Sequence, residues 1–269
     1  MTLIAVKVLL APTFVVGASV AARRFGARIG GVVAGLPVVA GPILLAYALA
    51  HGRGFAANAA AGTLLGLVSL IAFVVVYAHL AHRVFWGTSM LAGWLTFIAL
   101  TAVFSGLHIA VAAALLLALA ALTAGLVFLP RAPSLTALPP PHPGWDLPLR
   151  AACAAALVLS LTAVAGWLGP QLSGLLAPFP IVATVLAVFT HVQRGTGEMV
   201  RMMRGMVSGF AAFALFFFTL AVTLRHMPTG AAFALATGLA LATQGVALLL
   251  TSRRAQAEPL PVLASEQAH

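Results

Sequence analysis

Two proline-bearing segments carry the groups of this sequence that are best suited to chemistry: GLPVVAGP at residues 35–42 and PFP at residues 178–180. A proline inside a helix has no N–H and leaves a carbonyl four residues earlier without its donor, which is costly in hydrocarbon unless protein, water or a ligand faces it. The dipoles of two such broken helices can bind a small solute. For each proline taken alone, the alternative is a kink that improves packing. Taken together, the two segments predict a substrate-binding site formed by Gly35, Pro37, Gly41, Pro42, Pro178, Pro180 and Thr184.

Side chains that could carry protons are scarce near these segments. The chain has four acidic residues, which are Asp146, Glu198, Glu258 and Glu266. Only Glu198 lies near an apolar run, where we expect it to pair with Arg194 or Arg201 in a solvated loop. The usual proton or sodium relay of a membrane carboxylate therefore has no carrier. Among the histidines, His191, beside Thr190, is the candidate for proton handling.

The sequence offers no set of residues for catalysis or metal binding. His79 and His82 have a helical spacing that could bind a metal, but no third ligand accompanies them. The single cysteine, Cys153, excludes an intramolecular disulfide and a two-cysteine metal site. There is no nucleophile elbow, phosphate-binding loop or dinucleotide fingerprint. We therefore expect no catalytic residue, no metal and no cofactor, and a protein that is not an enzyme.

The elements that must position these groups are apolar helices. Of the 269 residues, 62% are hydrophobic and 7% are charged, with a mean hydropathy of +1.12. A soluble domain has about 25% charged residues, so the composition predicts an all-α polytopic membrane protein. Hydropathy divides the chain into nine candidate transmembrane helices, at residues 3–22, 29–50, 57–79, 85–104, 108–129, 150–168, 172–192, 203–224 and 229–250.

The charges predict the orientation of these spans. The 14 basic residues outnumber the four acidic ones, but the arginines fall between hydrophobic spans, so we expect them to contact membrane lipids and not nucleic acid. With nine spans, eleven basic residues fall on one side and only Lys7, Arg53 and Arg225 on the other. The excess marks the cytoplasmic side and predicts an N-terminus outside and a C-terminus in the cytoplasm.

The second half of the chain repeats the first at an offset of 143 residues. Glycines coincide six times between windows 7–73 and 150–216, where chance gives about one coincidence. Because an odd number of spans separates the two units, the second enters the membrane from the opposite face, as in inverted-repeat carriers. The predicted organisation is a first repeat of spans 1–4 at residues 1–107, a linking helix at 108–129, a Pro-rich cytoplasmic loop at 130–149, a second repeat of spans 6–9 at 150–252, and a disordered cytoplasmic tail at 253–269.

Each repeat also carries a pair of glycines four residues apart: Gly62 with Gly66, and Gly205 with Gly209. Small residues at this spacing let two helix backbones approach closely in a membrane. We expect these glycines to hold helices together within the molecule.

The segment LSGLLAPFPIVATVLAVFTHVQRGTGEMVRMMRGMVSGF at residues 172–210 resembles the small bacterial GlpM-like membrane proteins. The shared features are a core of small residues, leucine and Pro-Phe-Pro, then an apolar helix and a glycine-containing loop. The resemblance covers residues 150–250, whereas GLPVVAGP in the first repeat departs from the PFP pattern. It implies a bacterial inner-membrane protein and no particular substrate.

Two functional hypotheses follow from these patterns. The first is a secondary carrier or exporter that moves a small uncharged, amphipathic or anionic solute by alternating access, with its site between spans 2 and 7. The second is a non-transporting scaffold or accessory protein for envelope biosynthesis. A membrane enzyme acting on a lipid is disfavoured because the catalytic set is missing.

Overall fold

The computed structural model describes residues 2–107, 109–132, 143–165 and 178–257. All secondary structure in these ranges is helical, and nine helices are described there. They are α1 (Thr2–Phe25), α2 (Ala27–Ala34), α3 (Ala40–His51), α4 (Arg53–Leu80), α5 (Trp86–Ser105), α6 (Val111–Phe128), α7 (Asp146–Ala165), α8 (Ile181–Thr223) and α9 (Thr229–Ala257).

These helices do not correspond one to one with the predicted spans. The predicted span 29–50 is divided into α2 and α3 by a break at residues 35–39. Conversely, α8 runs through the end of the seventh predicted span, the intervening loop and the eighth span. The expected solvated loop around Glu198 is therefore wrong, because this residue is buried within α8, although it does pair with Arg201 at 3.1 Å.

Two predicted boundaries also move. Helix α7 begins at Asp146, inside the predicted Pro-rich loop, and α9 continues to Ala257, inside the predicted disordered tail. Residues 133–142 of that loop and 258–269 of that tail lie outside the described residues, as do residues 172–177 of the seventh span.

The described helices are those of a helical membrane protein. Five of them contain stretches that are long and apolar enough to cross a bilayer, namely α4, α5, α6, α8 and residues 229–249 of α9. Helices α4 and α8 form the centre, with 61% and 72% of their apolar windows buried. In α5, α6 and α9 only 22% of the window is buried, and apolar side chains such as Leu95, Leu116 and Leu241 face outwards. An apolar surface of this extent is unfavourable in water and matches contact with lipid chains.

Two glycines at equivalent repeat positions have the same unusual backbone conformation. Gly52, between α3 and α4, has φ 87° and ψ 166°, and Gly195, within α8, has φ 83° and ψ 172°. A positive φ of this kind is accessible to glycine and strained for other residues. Each glycine therefore turns the chain sharply between two helical segments, and α8 consists of two arms, residues 181–194 and 196–223, that meet at Gly195.

Glycines hold α2 against the second arm of α8. A Cβ placed on Gly205 would collide with the carbonyl oxygen of Arg28, and one placed on Gly209 would collide with that of Val32 and lie 3.1 Å from the Cα of Gly35. The two backbones thus touch without intervening side chains, as small residues permit in membranes. Gly205 and Gly209 thus lie where α2 and α8 approach most closely in backbone contact, as their spacing predicts.

The corresponding glycines of the first repeat give a different result. A Cβ on Gly62 would meet no atom within 4 Å in the part of the chain that the structure describes. At the same offset, the segment that would face Gly62 and Gly66 falls at about residues 171–177, which lie outside the described residues. Their packing role stays a prediction.

Replacing Gly209 by Ala tests the contact between α2 and α8. The added Cβ overlaps backbone that cannot rotate away, so we expect the free energy of unfolding to fall by about 1–3 kcal/mol. The control is Gly238→Ala in α9, where the new Cβ meets no atom within 4 Å among the described residues. Thermal unfolding in detergent should show a lower midpoint for the first variant and an unchanged or higher one for the second. Equal midpoints would contradict the contact.

Candidate functional site

The break between α2 and α3 is produced by the proline of the first segment. Helix α2 ends in a cap at Gly35, whose N–H donates to the carbonyls of Gly31 and Val32, both at 3.1 Å. Pro37 cannot donate to the carbonyl of Val33, so the helix stops there. The chain becomes helical again when the N–H of Gly41 donates to the carbonyl of Pro37 at 2.8 Å.

The second proline of the segment does not break a helix. Pro42 lies in the first turn of α3, which begins at Ala40. The N–H groups of a first turn have no partner within their own helix, so the missing N–H of Pro42 costs nothing there. The disruption therefore belongs to Pro37 alone.

The break leaves backbone carbonyls free in an apolar setting. Among the described residues, no backbone N–H donates to the carbonyl oxygens of Ala34, Gly35 or Leu36. One neighbouring carbonyl is covered by a side chain, since the amide nitrogen of buried Gln244 in α9 donates to the oxygen of Val32. A broken helix in hydrocarbon is stable only where such groups face protein, water or a ligand.

A cavity of about 340 Å³ opens at this break. Thr237 of α9 supplies the one polar side chain of its described lining. The other lining residues come from α1, from the break and α3, from the second arm of α8 and from α9: Leu10, Leu36, Pro37, Val38, Gly41, Pro42, Leu45, Phe216, Phe233, Ala240 and Leu241. The cavity can therefore accept an apolar group, with Thr237 as the polar side chain of its described lining.

The second proline segment shares one backbone hydrogen bond with the first, and a tryptophan packs beside it. The N–H of Thr184 donates to the carbonyl of Pro180 at 2.8 Å, which matches the bond from Gly41 to Pro37 in partner positions and in length. Both Pro178 and Pro180 are buried. The space beside them is occupied by Trp94 of α5, whose indole Nε1 donates to Thr184 Oγ1 at 2.9 Å.

Three of the seven residues of the predicted site line the described cavity. Pro37, Gly41 and Pro42 line the cavity, whereas Gly35 packs its backbone against Gly209. The remaining predicted residues, Pro178, Pro180 and Thr184, are not among the residues that line it.

His191 lies in a polar contact apart from the cavity. Its Nδ1 is 3.3 Å from the hydroxyl of Tyr77, and its Nε2 is 3.4 Å from that of Thr196, one residue beyond Gly195. Its sequence neighbour Thr190 turns away and donates to the sulfur of Met202 at 3.8 Å. Either hydroxyl can donate to or accept from the ring, depending on the tautomer. Proton handling by His191 stays a prediction.

The main polar cluster of the described core was not expected from the sequence. Asp146, at the start of α7, is fully buried and joins three helices. Its Oδ2 accepts from Arg23 of α1 at 2.6 Å, and its Oδ1 accepts from Arg150 at 2.8 Å and from Gln193 of α8 at 2.7 Å. The available signal was that Asp146, one of four acids in a basic chain, stands four residues before Arg150, which is the spacing of a helical ion pair.

The surroundings of Asp146 favour its charged form. Burial raises the pKa of this carboxyl, but the hydrogen bonds from Arg150 and Arg23, the charge of Arg150 and the bond from Gln193 outweigh burial, so the pKa lies below its ordinary value. Removing one partner of a buried ion pair is expensive because the others are left uncompensated. The cluster therefore fixes α1, α7 and α8 at one end of the bundle.

Replacing Asp146 by Asn should destabilise the protein by about 3–5 kcal/mol at neutral pH, because Arg23 and Arg150 lose their common partner. Since the folded-state pKa is lowered, the contribution of the carboxylate is present above the unfolded-state pKa of about 3.9 and is lost as the pH falls through the folded-state value. Thermal unfolding in detergent should show a gap between wild type and variant that closes below about pH 4.

The control for this experiment is Glu198→Gln, which removes a pair with the partly exposed Arg201 and should cost less. A gap between wild type and Asp146→Asn that is equally large at pH 7 and pH 3 would show that the charge of Asp146 contributes nothing.

No group of three or more His, Cys, Asp or Glu side chains that could hold a metal ion comes together in the described ranges. Comparison with known proteins adds no assignment: no protein family, no curated protein and no solved structure matches the chain. The resemblance of residues 150–250 to the GlpM-like proteins therefore stays a prediction.

Proposed function

We propose that the protein is a secondary carrier or exporter of a small solute, with its binding site in the cavity at the α2–α3 break. The observation that carries the proposal is the coincidence of three features: an apolar cavity, a helix broken by Pro37, and backbone carbonyls at that break without backbone donors. Carriers commonly form substrate sites from discontinuous helices, because free backbone dipoles bind a solute without buried charge.

The lining favours an uncharged or amphipathic solute over an anion. No arginine, lysine or histidine is among the described residues that line the cavity, and Thr237 is its one polar side chain. A charged group in this setting would be desolvated without a partner, which is strongly unfavourable. Backbone carbonyls are hydrogen-bond acceptors, so they suit a solute that donates a hydrogen bond.

Alternating access would follow from an inverted repeat. Two structural details support this part of the proposal, since each recurs at the offset of 143 residues. The hydrogen bond from Gly41 to Pro37 has its counterpart from Thr184 to Pro180, and the positive φ of Gly52 has its counterpart at Gly195. Two halves with equivalent broken helices can exchange roles as gates on opposite faces of the membrane.

The contacts at the two ends of the bundle support the proposed topology. Arg23, Asp146 and Gln193, which the topology assigns to the cytoplasmic side, meet in one cluster. At the other end, Arg53 donates to the carbonyl of Met227 at 3.1 Å, and Arg225 donates to Asn58 at 2.6 Å. No contact of either group joins residues that the topology assigns to opposite sides. The location that we propose is the inner membrane of a bacterium, with the N-terminus outside and the C-terminus in the cytoplasm.

Untargeted comparison of the metabolites retained by cells with and without the protein tests transport. We expect at least one small uncharged or amphipathic solute to change in level. Gly41→Leu should abolish the change, because its side chain would extend into the cavity towards Phe216, whose Cζ lies only 3.3 Å from a Cβ at this position.

The matched control is Gly17→Leu on the exposed face of α1, where a Cβ meets no atom within 4 Å in the described part of the chain. It should leave the metabolite change intact. Metabolite levels that stay the same in all strains, together with altered envelope composition on deletion, would replace the carrier by the scaffold hypothesis.

Reporter fusions test the topology. Fusions at Arg131 and at Arg254 should both report a cytoplasmic location, since both positions follow an odd number of proposed crossings from an outside N-terminus. A fusion at Gly106 should report the outside. Opposite signals from Arg131 and Arg254 would contradict the inverted repeat.

A further inference from the structure

The cavity at the first proline segment lies where the second proline segment is packed by aromatic side chains. Trp94 of α5 packs against Phe179, with ring centroids 5.6 Å apart, and Phe97 of the same helix meets Phe179 edge to face at 5.4 Å. The indole is fixed by its hydrogen bond to Thr184. These four side chains fill the space beside the second proline break.

The equivalent positions beside the first proline segment hold small or aliphatic residues. At the offset of 143, Trp94 corresponds to Thr237, Phe97 to Ala240, Phe179 to Leu36 and Thr184 to Gly41. All four counterparts line the cavity. The cavity therefore corresponds to the place that an indole and phenyl rings occupy beside the second proline segment.

This correspondence also describes the polar groups that a ligand would meet. The indole N–H of Trp94 donates to the hydroxyl of Thr184, but Gly41, the counterpart of Thr184, has no side chain. The lining residues that can accept a hydrogen bond are Thr237, through its hydroxyl, and Leu36, whose carbonyl oxygen has no backbone donor among the described residues. A ligand ring with one hydrogen-bond donor would be matched by these acceptors.

The cavity is open to a ligand that partitions into the bilayer. Leu45 and Leu241 on its rim are 36% and 58% exposed, on the apolar outer surface of α3 and α9. An uncharged ring compound can reach this depth from the lipid without passing a charged group.

We propose that the cavity binds an uncharged ligand with a flat ring of about the size of indole and a single hydrogen-bond donor, in the place that corresponds to that of Trp94 beside the second proline segment. The inference rests on the proposed function, since it names the substrate class of the same cavity. The ring lies between Leu36 and Phe233, and its donor faces Thr237 or the carbonyl oxygen of Leu36.

Binding of 5-fluoroindole to the purified protein in detergent, followed by ¹⁹F NMR line broadening, tests the proposal. The wild type should bind with one saturable site. Thr237→Trp should weaken binding at least tenfold, because it places in the cavity the same side chain that Trp94 places beside the second proline segment. The control is Leu239→Trp, which adds the same indole to the exposed face of α9 outside the cavity lining and should leave binding unchanged.

A gain-of-binding variant keeps the test independent of folding defects. Trp94→Thr combined with Phe97→Ala should open the equivalent space beside the second proline segment and raise the number of saturable sites from one to two. Thermal unfolding of each variant with and without 5-fluoroindole gives a second readout, since a ligand bound to the folded state raises the midpoint.

Two results would overturn the proposal: no saturable binding of 5-fluoroindole to the wild type, or equal binding by Thr237→Trp and wild type. Displacement of bound 5-fluoroindole by decanol but not by unlabelled indole would overturn it as well, because the cavity would then be one for acyl chains. Transport is measured separately: binding without any metabolite change in cells removes the proposed function and leaves the binding site, whereas transport that indole does not inhibit removes the ring ligand and leaves the carrier.

Discussion

Satisfying the backbone inside an apolar medium is the constraint on which this structure depends. Hydrocarbon offers no hydrogen-bond partners, so a helix interrupted at Pro37 must be supported by its neighbours. Helix α9 supplies Gln244, whose amide donates to the carbonyl of Val32 at the end of α2. The second arm of α8 supplies Gly205 and Gly209, whose backbones lie directly against α2. The neighbouring helices α8 and α9 thus stabilise a break between α2 and α3 that would be unfavourable in an isolated helix.

The two proline segments share a backbone hydrogen bond but have different surroundings. The bonds from Gly41 to Pro37 and from Thr184 to Pro180 have the same length, although α8 begins two residues earlier than α3 at the offset of 143. The difference lies in the side chains delivered by the neighbouring helices, because α5 brings Trp94 to one break and α9 brings Thr237 to the other. Local sequence determines where a helix breaks, and the partner helix determines whether the break is filled.

The sequence predicts those features that depend on composition and on single residues. The apolar runs predict a helical membrane protein, Pro37 predicts a break, and the spacing of Gly205 and Gly209 predicts a close helix contact; all three are found. Features that depend on tertiary contacts could not be predicted in this way. The sequence places Asp146 in a Pro-rich loop, whereas in the structure Arg23 and Gln193, which are distant in sequence, donate hydrogen bonds to it.

Charge and glycine content also misled the prediction around Gly195. Residues 193–202 include two arginines, one acid and two glycines, a composition typical of an exposed loop. The structure instead turns sharply at Gly195 between two helical arms, and the residues that follow are helical, because Glu198 pairs one turn further with Arg201 and the face bearing Met199 and Met202 is buried. A helical face of this kind can be identified in the sequence only once its neighbours are known.

The glycine contact between α2 and α8 has a consequence for how anything could move through the protein. Where backbone packs directly on backbone, no side chain can change rotamer. The seam at Gly35 and Gly209 therefore leaves no gap for water. Such a seam separates only if whole helices part. The wall of the cavity on the side of α3 and α9 consists instead of leucine and phenylalanine side chains, which can rotate to admit a molecule without separating the helices.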